Sequence, residues 1–124
     1  MLISITISIA EVLDRITICE VKLDHIRDPA KRHNIAHELD SLQRQMGAIA
    51  LPQAVLDLVP PLRASNDENF RMIEQVFACD AAGDFGPAYA QAAQAAFRAN
   101  AERARFKRMI NLLLESEIIE EKTY

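Results

Sequence analysis

The stretch 8–27, SIAEVLDRITICEVKLDHIR, carries two helical faces that both call for partners, and what these faces meet constrains every later segment of the chain. Ser8 followed three residues later by Glu11 reads as a capping box, in which the hydroxyl accepts a first-turn N–H and the carboxylate reaches back to the cap's own N–H. A helix is expected to begin here. Val12, Ile16, Cys19, Leu23 and Ile26 recur at steps of 4, 3, 4 and 3, with Ile9 and Leu13 widening the stripe, which is the spacing of a core face. Glu11, Arg15, Ile18 and Lys22 line the opposite side, flanked by Asp14, Val21 and His25. A solvated face has little use for Ile18 and Val21 among charges, so this face is expected to meet a partner, with Ile18 and Val21 as the candidate interface.

Upstream, residues 2–7 alternate, with Ile3, Ile5 and Ile7 on one side and Ser4 and Thr6 on the other, the signature of a half-buried strand. Downstream, Arg27-Asp28-Pro29 supplies a cationic last turn, a cap and a proline for the next helical start, so a helical hairpin follows with almost no loop. Ile35, Leu39, Leu42, Met46 and Ile49 repeat the first stripe's spacing and should zip against it. Leu51-Pro52 ends that helix, a short helical turn is expected within 53–59, and Pro60-Pro61 marks the one linker-like spot. A third helix is expected over 62–82, ended by Gly83 in the left-handed region; its stripe of Leu62, Phe70, Ile73, Val76 and Phe77 shares a face with Asn66, Asn69 and Asp80. A fourth covers about 88–115, alanine-rich in its first half, and 117–122 around Ile118-Ile119 reads as a second strand. An up-down-up-down order brings the two ends of the chain together. The expected fold is therefore mostly α: one domain, 1–124, an antiparallel bundle of four long helices with a short two-stranded antiparallel sheet formed by the N- and C-terminal segments.

A chain of 124 residues, half of them apolar, can bury a core of its own. Its net charge of -4 and pI near 5.3 give no field attractive to nucleic acid or to an anionic membrane, and no apolar run approaches the roughly 18 residues of a membrane span. Residues 1–9 are apolar but lack a preceding Lys or Arg, and Glu11, Asp14 and Arg15 close the run early, so a signal peptide is not expected. The expectation is a soluble cytoplasmic protein without nucleic-acid or membrane partners. Cys19 and Cys79 have neither the pairing pattern of a secreted scaffold nor metal-ligand spacing and read as small buried hydrophobes. No cofactor and no metal is expected.

The strongest candidate for chemistry joins the charged face of the first helix to polar stripes further on. Asn100, Arg103, Lys107 and Asn111 fall on one side of the fourth helix at steps of 3, 4 and 4. With Glu11, Arg15, Lys22, Asn66 and Asn69 they offer a cavity lined by ammonium, guanidinium and amide donors, suited to a carboxylate- or phosphate-bearing ligand, with Glu11 or Asp14 as general base if burial raises its pKa. The plainer arrangement has Asn66 and Asn69 satisfying each other or the backbone, while the cations pair with Glu115, Glu117, Glu120 and Glu121 on a wet face. Arg98, Arg103, Arg105, Lys107 and Arg108 form a basic cluster, but only Phe97 and Phe106 lie near it as stacking platforms, and cations late in a helix also complement its dipole. His33 and His37 have zinc-chelating spacing on the second helix but lack a third ligand. Three glycines leave no room for a phosphate-cradling loop, and there is no nucleophile elbow or triad order.

At SITISIAEVLDRITICEVKLDHIRDPAK the chain resembles a bacterial family of small helical proteins catalogued as a domain of unknown function, whose members open with a strand and an ISxxELxDKITILxxK-like helix. The likeness continues through GDFG (Gly83 to Gly86), FRANAERARFKRMIN (Phe97 to Asn111), which is similar to the family's YRTNxxRxxLKRxIN, and the ending EEKTY, close to EEKSY. Arg15 stands where the family often has Lys, and Cys19 where it often has Leu. The resemblance implies membership and brings no activity, substrate or cofactor with it. With strong catalytic motifs absent, the expected function is a helical interaction or oligomerisation module that self-associates or docks a protein partner. The alternative is a helical enzyme or binding protein for a small anionic metabolite.

Overall fold

Five helices make up the regular structure of the computed structural model, which describes all of residues 1–124: α1 (Ile9–His25), α2 (Pro29–Met46), the single turn α3 (Gln53–Leu56), α4 (Val59–Ala81) and α5 (Pro87–Leu113). Local chemistry sets most of their ends. Ser8 caps α1 by accepting the Glu11 N–H at 3.2 Å, but the return bond of the expected box is not made, because the Glu11 carboxylate is drawn to Arg15 and to a lysine of α5. Asp28 caps α2 through the Lys31 N–H at 2.9 Å, with Pro29 next to it. Arg32 then reaches back, its Nη1 donating to the carbonyls of Leu23 at 2.5 Å and Ile26 at 2.7 Å, which satisfies acceptors that the end of α1 would leave open. The helix α4 begins three residues before the expected position, since Pro60 and Pro61 fit a first turn whose N–H groups need no helical partner. Gly83, at φ 67°, closes it with paired return bonds from Gly83 N–H to Asp80 O and from Asp84 N–H to Cys79 O.

The α4–α5 pair is the most extensive contact in the molecule; α1 lies against both helices, and α2 packs on α1 alone. Ala92, Ala96 and Ala99 are buried at steps of 4 and 3, and their small side chains let α5 approach α4 closely. Ala10, Leu13, Val55, Leu62 and Ile110 form the apolar core, with Met46, Leu51, Leu58, Phe106 and Leu114 packed around it. This core sits where the start of α1, the start of α4 and the end of α5 meet α3. Of the expected α4 face only Leu62 and, as its polar member, Asn66 are buried; Ile73 and Phe77 are exposed, and Ser65 points inward beside them.

Two expectations about α1 are corrected. Its deepest face is not the aliphatic stripe but Ala10, Leu13, Asp14, Thr17 and Val21; Val12, Ile16, Leu23 and Ile26 are half-buried, and of the expected stripe only Cys19 and the flanking Leu13 are buried. Glu38 of α2 reaches the Cys19 thiol, which burial first and Glu38 second push above its ordinary pKa. Val21, expected to face a partner, is buried inside the chain's own fold, and Ile18 is half-buried.

The two-stranded sheet does not form. Residues 1–7 and 117–124 contain no strand and make no main-chain hydrogen bond to main chain. The physical reason lies at the end of α5. Glu115 takes a left-handed conformation, φ 51°, and the chain reverses there, with Ser116 N–H bonded to Asn111 O at 2.9 Å. The tail then runs back along α5 instead of across the bundle end, held by Arg108 on Glu121 at 2.8 Å and by Asn100 Nδ2 donating to the Tyr124 hydroxyl at 2.8 Å.

Candidate functional site

One turn beyond the apolar core, α1, α4 and α5 meet through charge. Asp14 of α1 has no exposed surface. Its two oxygens receive Arg103 in a fork, Nε on Oδ1 at 2.9 Å and Nη2 on Oδ2 at 2.5 Å, a geometry that planar guanidinium provides and ammonium does not. Asn66 of α4 donates to the same Oδ1 at 3.0 Å and to Thr17 Oγ1 at 2.9 Å, and Thr17 donates in turn to the Asp14 main-chain carbonyl at 2.7 Å. Lys107, also buried, stands 2.6 Å from Glu11, 3.5 Å from Asp14 and 3.3 Å from Glu120 of the tail. Arg103 Nη1 donates to Asn100 Oδ1 at 3.3 Å, and Arg15 meets Glu11 at 3.3 Å on the rim.

The electrostatics follow from this geometry. Burial works to raise the Asp14 pKa, but the hydrogen bonds from Arg103 and Asn66 and the charges of Arg103 and Lys107 outweigh it, and the carboxyl is held below its ordinary value of 3.8. Asp14 is therefore no general base: the expectation that burial would raise its pKa is reversed by the forked guanidinium. Arg103 is pushed up, chiefly by its hydrogen bond to Asp14. At Lys107 desolvation pulls down, yet the Glu11 bond and the charges of Asp14 and Glu11 lift the group above its usual value. In the centre two carboxylates, Glu11 and Asp14, stand against two cations, Arg103 and Lys107, so the cluster is neutral without any ligand.

Of the residues expected to line one cavity, Glu11, Arg15, Asn66, Asn100, Arg103 and Lys107 do converge. Two do not take part: Lys22 enters no ion pair, and Asn69 donates instead to the Ala96 carbonyl of α5 at 3.0 Å. Asn111 is buried beside the cluster, lining a small recess with Lys107, Glu120 and Lys122, its Oδ1 unpartnered. Asn66 and Asn69 do not bond each other. A cleft of about 240 Å³ beside the cluster is lined by Glu11, Asn100, Arg103, Lys107, Glu120 and Lys122. The expected basic cluster is split: Arg103 and Lys107 turn inward, Arg105 pairs with Glu102 at 2.6 Å, and Arg108 pairs with the tail. His33 and His37 are exposed on α2, and no three His, Cys, Asp or Glu groups converge as a metal site.

Sequence reasoning missed Asp14 as the hub, along with Thr17 and Tyr124; Glu120 it named only as a surface partner of the cations. For the first two a signal was present, because Ala10, Asp14, Thr17 and Val21 step by 4, 3 and 4 as regularly as the aliphatic stripe does. A second missed contact joins His25 Nε2 to Asp67 at 2.7 Å, with the imidazole stacked on Phe70, ring centroids 4.9 Å apart; this bond, set against a smaller cost of burial, holds Asp67 below its ordinary pKa.

The other conspicuous surface is the end of the bundle where the chain enters α1. Leu2, Ile3 and Ile5 are 97%, 84% and 63% exposed. Beside this arm a groove of about 250 Å³ runs between the entry to α1, at Thr6, Ile7, Ser8 and Ile9, and the turn and tail after α5, at Leu114, Ser116, Glu117 and Ile118. Leu112, Leu113 and Ile118, each about half exposed, lie at the same end. No protein-family model, no curated protein and no solved structure matches the chain. No helix is long and apolar enough to cross a membrane.

Proposed function

We propose that this chain is a helical interaction module rather than an enzyme, with the buried ion-pair cluster as its scaffold and the apolar end of the bundle as its working surface. The observation that carries the reading is the arm 2–7, in which Leu2, Ile3 and Ile5 stand exposed, Ile7 is half-buried, and the main-chain groups make no hydrogen bond to main chain. Such an edge offers both halves of strand-type recognition, hydrogen bonds from the backbone and pockets for alternate side chains. The cluster argues the same way. Each cation facing the 240 Å³ cleft already carries a carboxylate of this chain, so an incoming anion would have to displace Glu11, Asp14 or Glu120. The alternative of a small-anion binding protein loses its main support on that account. Two free cysteines suit a reducing compartment, and the reading places the module in the cytoplasm. Membership of the family whose motifs the chain resembles is part of the same proposal.

The test is contact mapping in cells. A benzophenone amino acid replacing Ile3 should give a discrete crosslinked protein product on irradiation, and one replacing Gln45, exposed on α2, should give none. If position 3 yields no product above the Gln45 control, the arm has no protein partner and the reading fails.

A further inference from the structure

Resting on that reading, we infer that the arm's partner is a second copy of this chain, joined through antiparallel pairing of residues 3–7 about a two-fold axis at Ile5. The arm has the symmetry such an axis demands. Read outward from Ile5, the sequence is Ser4 and Thr6, then Ile3 and Ile7, so each residue meets a counterpart of its own kind when the strand is turned end for end. Residues directly opposite in an antiparallel pair point to the same face. Pairing about Ile5 sets Ile5 against Ile5 and Ile3 against Ile7, which gathers the six isoleucines of the two arms on one face and the Ser and Thr side chains on the other. A register slipped by one residue would mix the faces. A register centred on Thr6 would draw in Ser8, whose hydroxyl is already committed to the Glu11 N–H as the cap of α1. One centred on Ser4 would leave Ile7 opposite Met1.

Charge and area favour the same occupant. The chain carries a net charge of -4, so two copies repel over most of their surfaces, yet residues 2–9 bear no charged side chain and can meet without bringing like charges together. Two five-residue arms alone bury less than the ~800 Å² per partner of a stable complex, and a two-stranded ribbon is marginal without cover. The isoleucine face therefore needs apolar surface beneath it. Leu112, Leu113 and Ile118 supply it at the same end of the bundle. The ribbon forms between molecules and not with the chain's own tail, which Lys107 and Arg108 hold along α5.

The experiment has two readouts on the purified full chain. Light scattering across micromolar concentrations should give about 28 kDa, twice the 13.9 kDa chain, and Ile3→Glu with Ile5→Glu should return it to the single-chain mass without lowering the melting temperature. In a Cys79→Ser background, which removes the less buried thiol, Ile5→Cys should form a disulfide-linked dimer at least about tenfold faster than Ser4→Cys, because only residue 5 faces its own copy within disulfide reach. Equal rates for the two cysteines, or a single-chain mass at every concentration, would overturn the inference. A single-chain mass alongside a cellular crosslink from position 3 to a protein of another size defeats the second copy and leaves the interaction module standing; no crosslink and a single-chain mass defeat both.

Discussion

Asp14 is the residue on which the interior turns, and its environment sets two expectations. Breaking a buried pair strands the remaining charge, so Arg103→Met should lower stability to urea by about 3–5 kcal/mol. Replacing Asp14 and Arg103 together by Leu and Met should cost much less than the separate losses combined, since neither charge of the fork is then left without the other, and Lys107 keeps Glu11. The pH dependence follows from the depressed carboxyl: its folded pKa lies below the unfolded value of 3.8, so the contribution is complete above that value and is lost as the pH falls through the folded one. Acid titration of unfolding should show a falling limb below about pH 4 that Asp14→Asn flattens. Six residues named from sequence meet in this cluster, because steps of 3 and 4 on α5, the charges of α1 and an amide on the apolar face of α4 are visible one helix at a time. The hub escaped because its role depends on which helix lies opposite. Asp14 and Arg103 are 89 residues apart, and nothing local to either says that they meet.

At the scale of elements, caps and prolines made the helices legible to within a few residues: Ser8, Asp28-Pro29, Gly83 and Pro87 all act where their chemistry says they should. The tail was not legible. Ile118-Ile119 carries a strand propensity, but long-range attraction between Glu120 or Glu121 and the cations of α5 decides the path. Those contacts are largely exposed, so deleting residues 117–124 should lower stability by only about 1 kcal/mol in chemical denaturation, not by the several that a paired strand would contribute. Glu115 offers a converse test. A left-handed conformation costs a non-glycine residue roughly 1–2 kcal/mol, and glycine gives back part of that through its freer unfolded chain, so Glu115→Gly should stabilise by about 0.5–1 kcal/mol. A loss of stability in that variant would mean that the Glu115 side chain contributes something its backbone strain conceals.

For the whole molecule, the contact pattern is uneven: α4 and α5 share a long interface while α2 touches α1 alone and buries only Ile35. Amide hydrogen exchange should therefore be graded, fastest in α2 and slowest where α1, α4 and α5 share the core, and uniform protection across the helices would contradict this division. The Asp14–Arg103 fork also has a meaning for synthesis. A ribosome releases the chain from its first residue onward, and α1 emerges with its carboxylate, its apolar arm and its cap long before the helix that carries Arg103 exists. The α1–α2 hairpin can close early, latched by Arg32 on a carbonyl only nine residues back. The fork cannot close until Arg103, 89 residues after Asp14, has been made, so the carboxylate that organises the interior is synthesised long before the guanidinium that neutralises it.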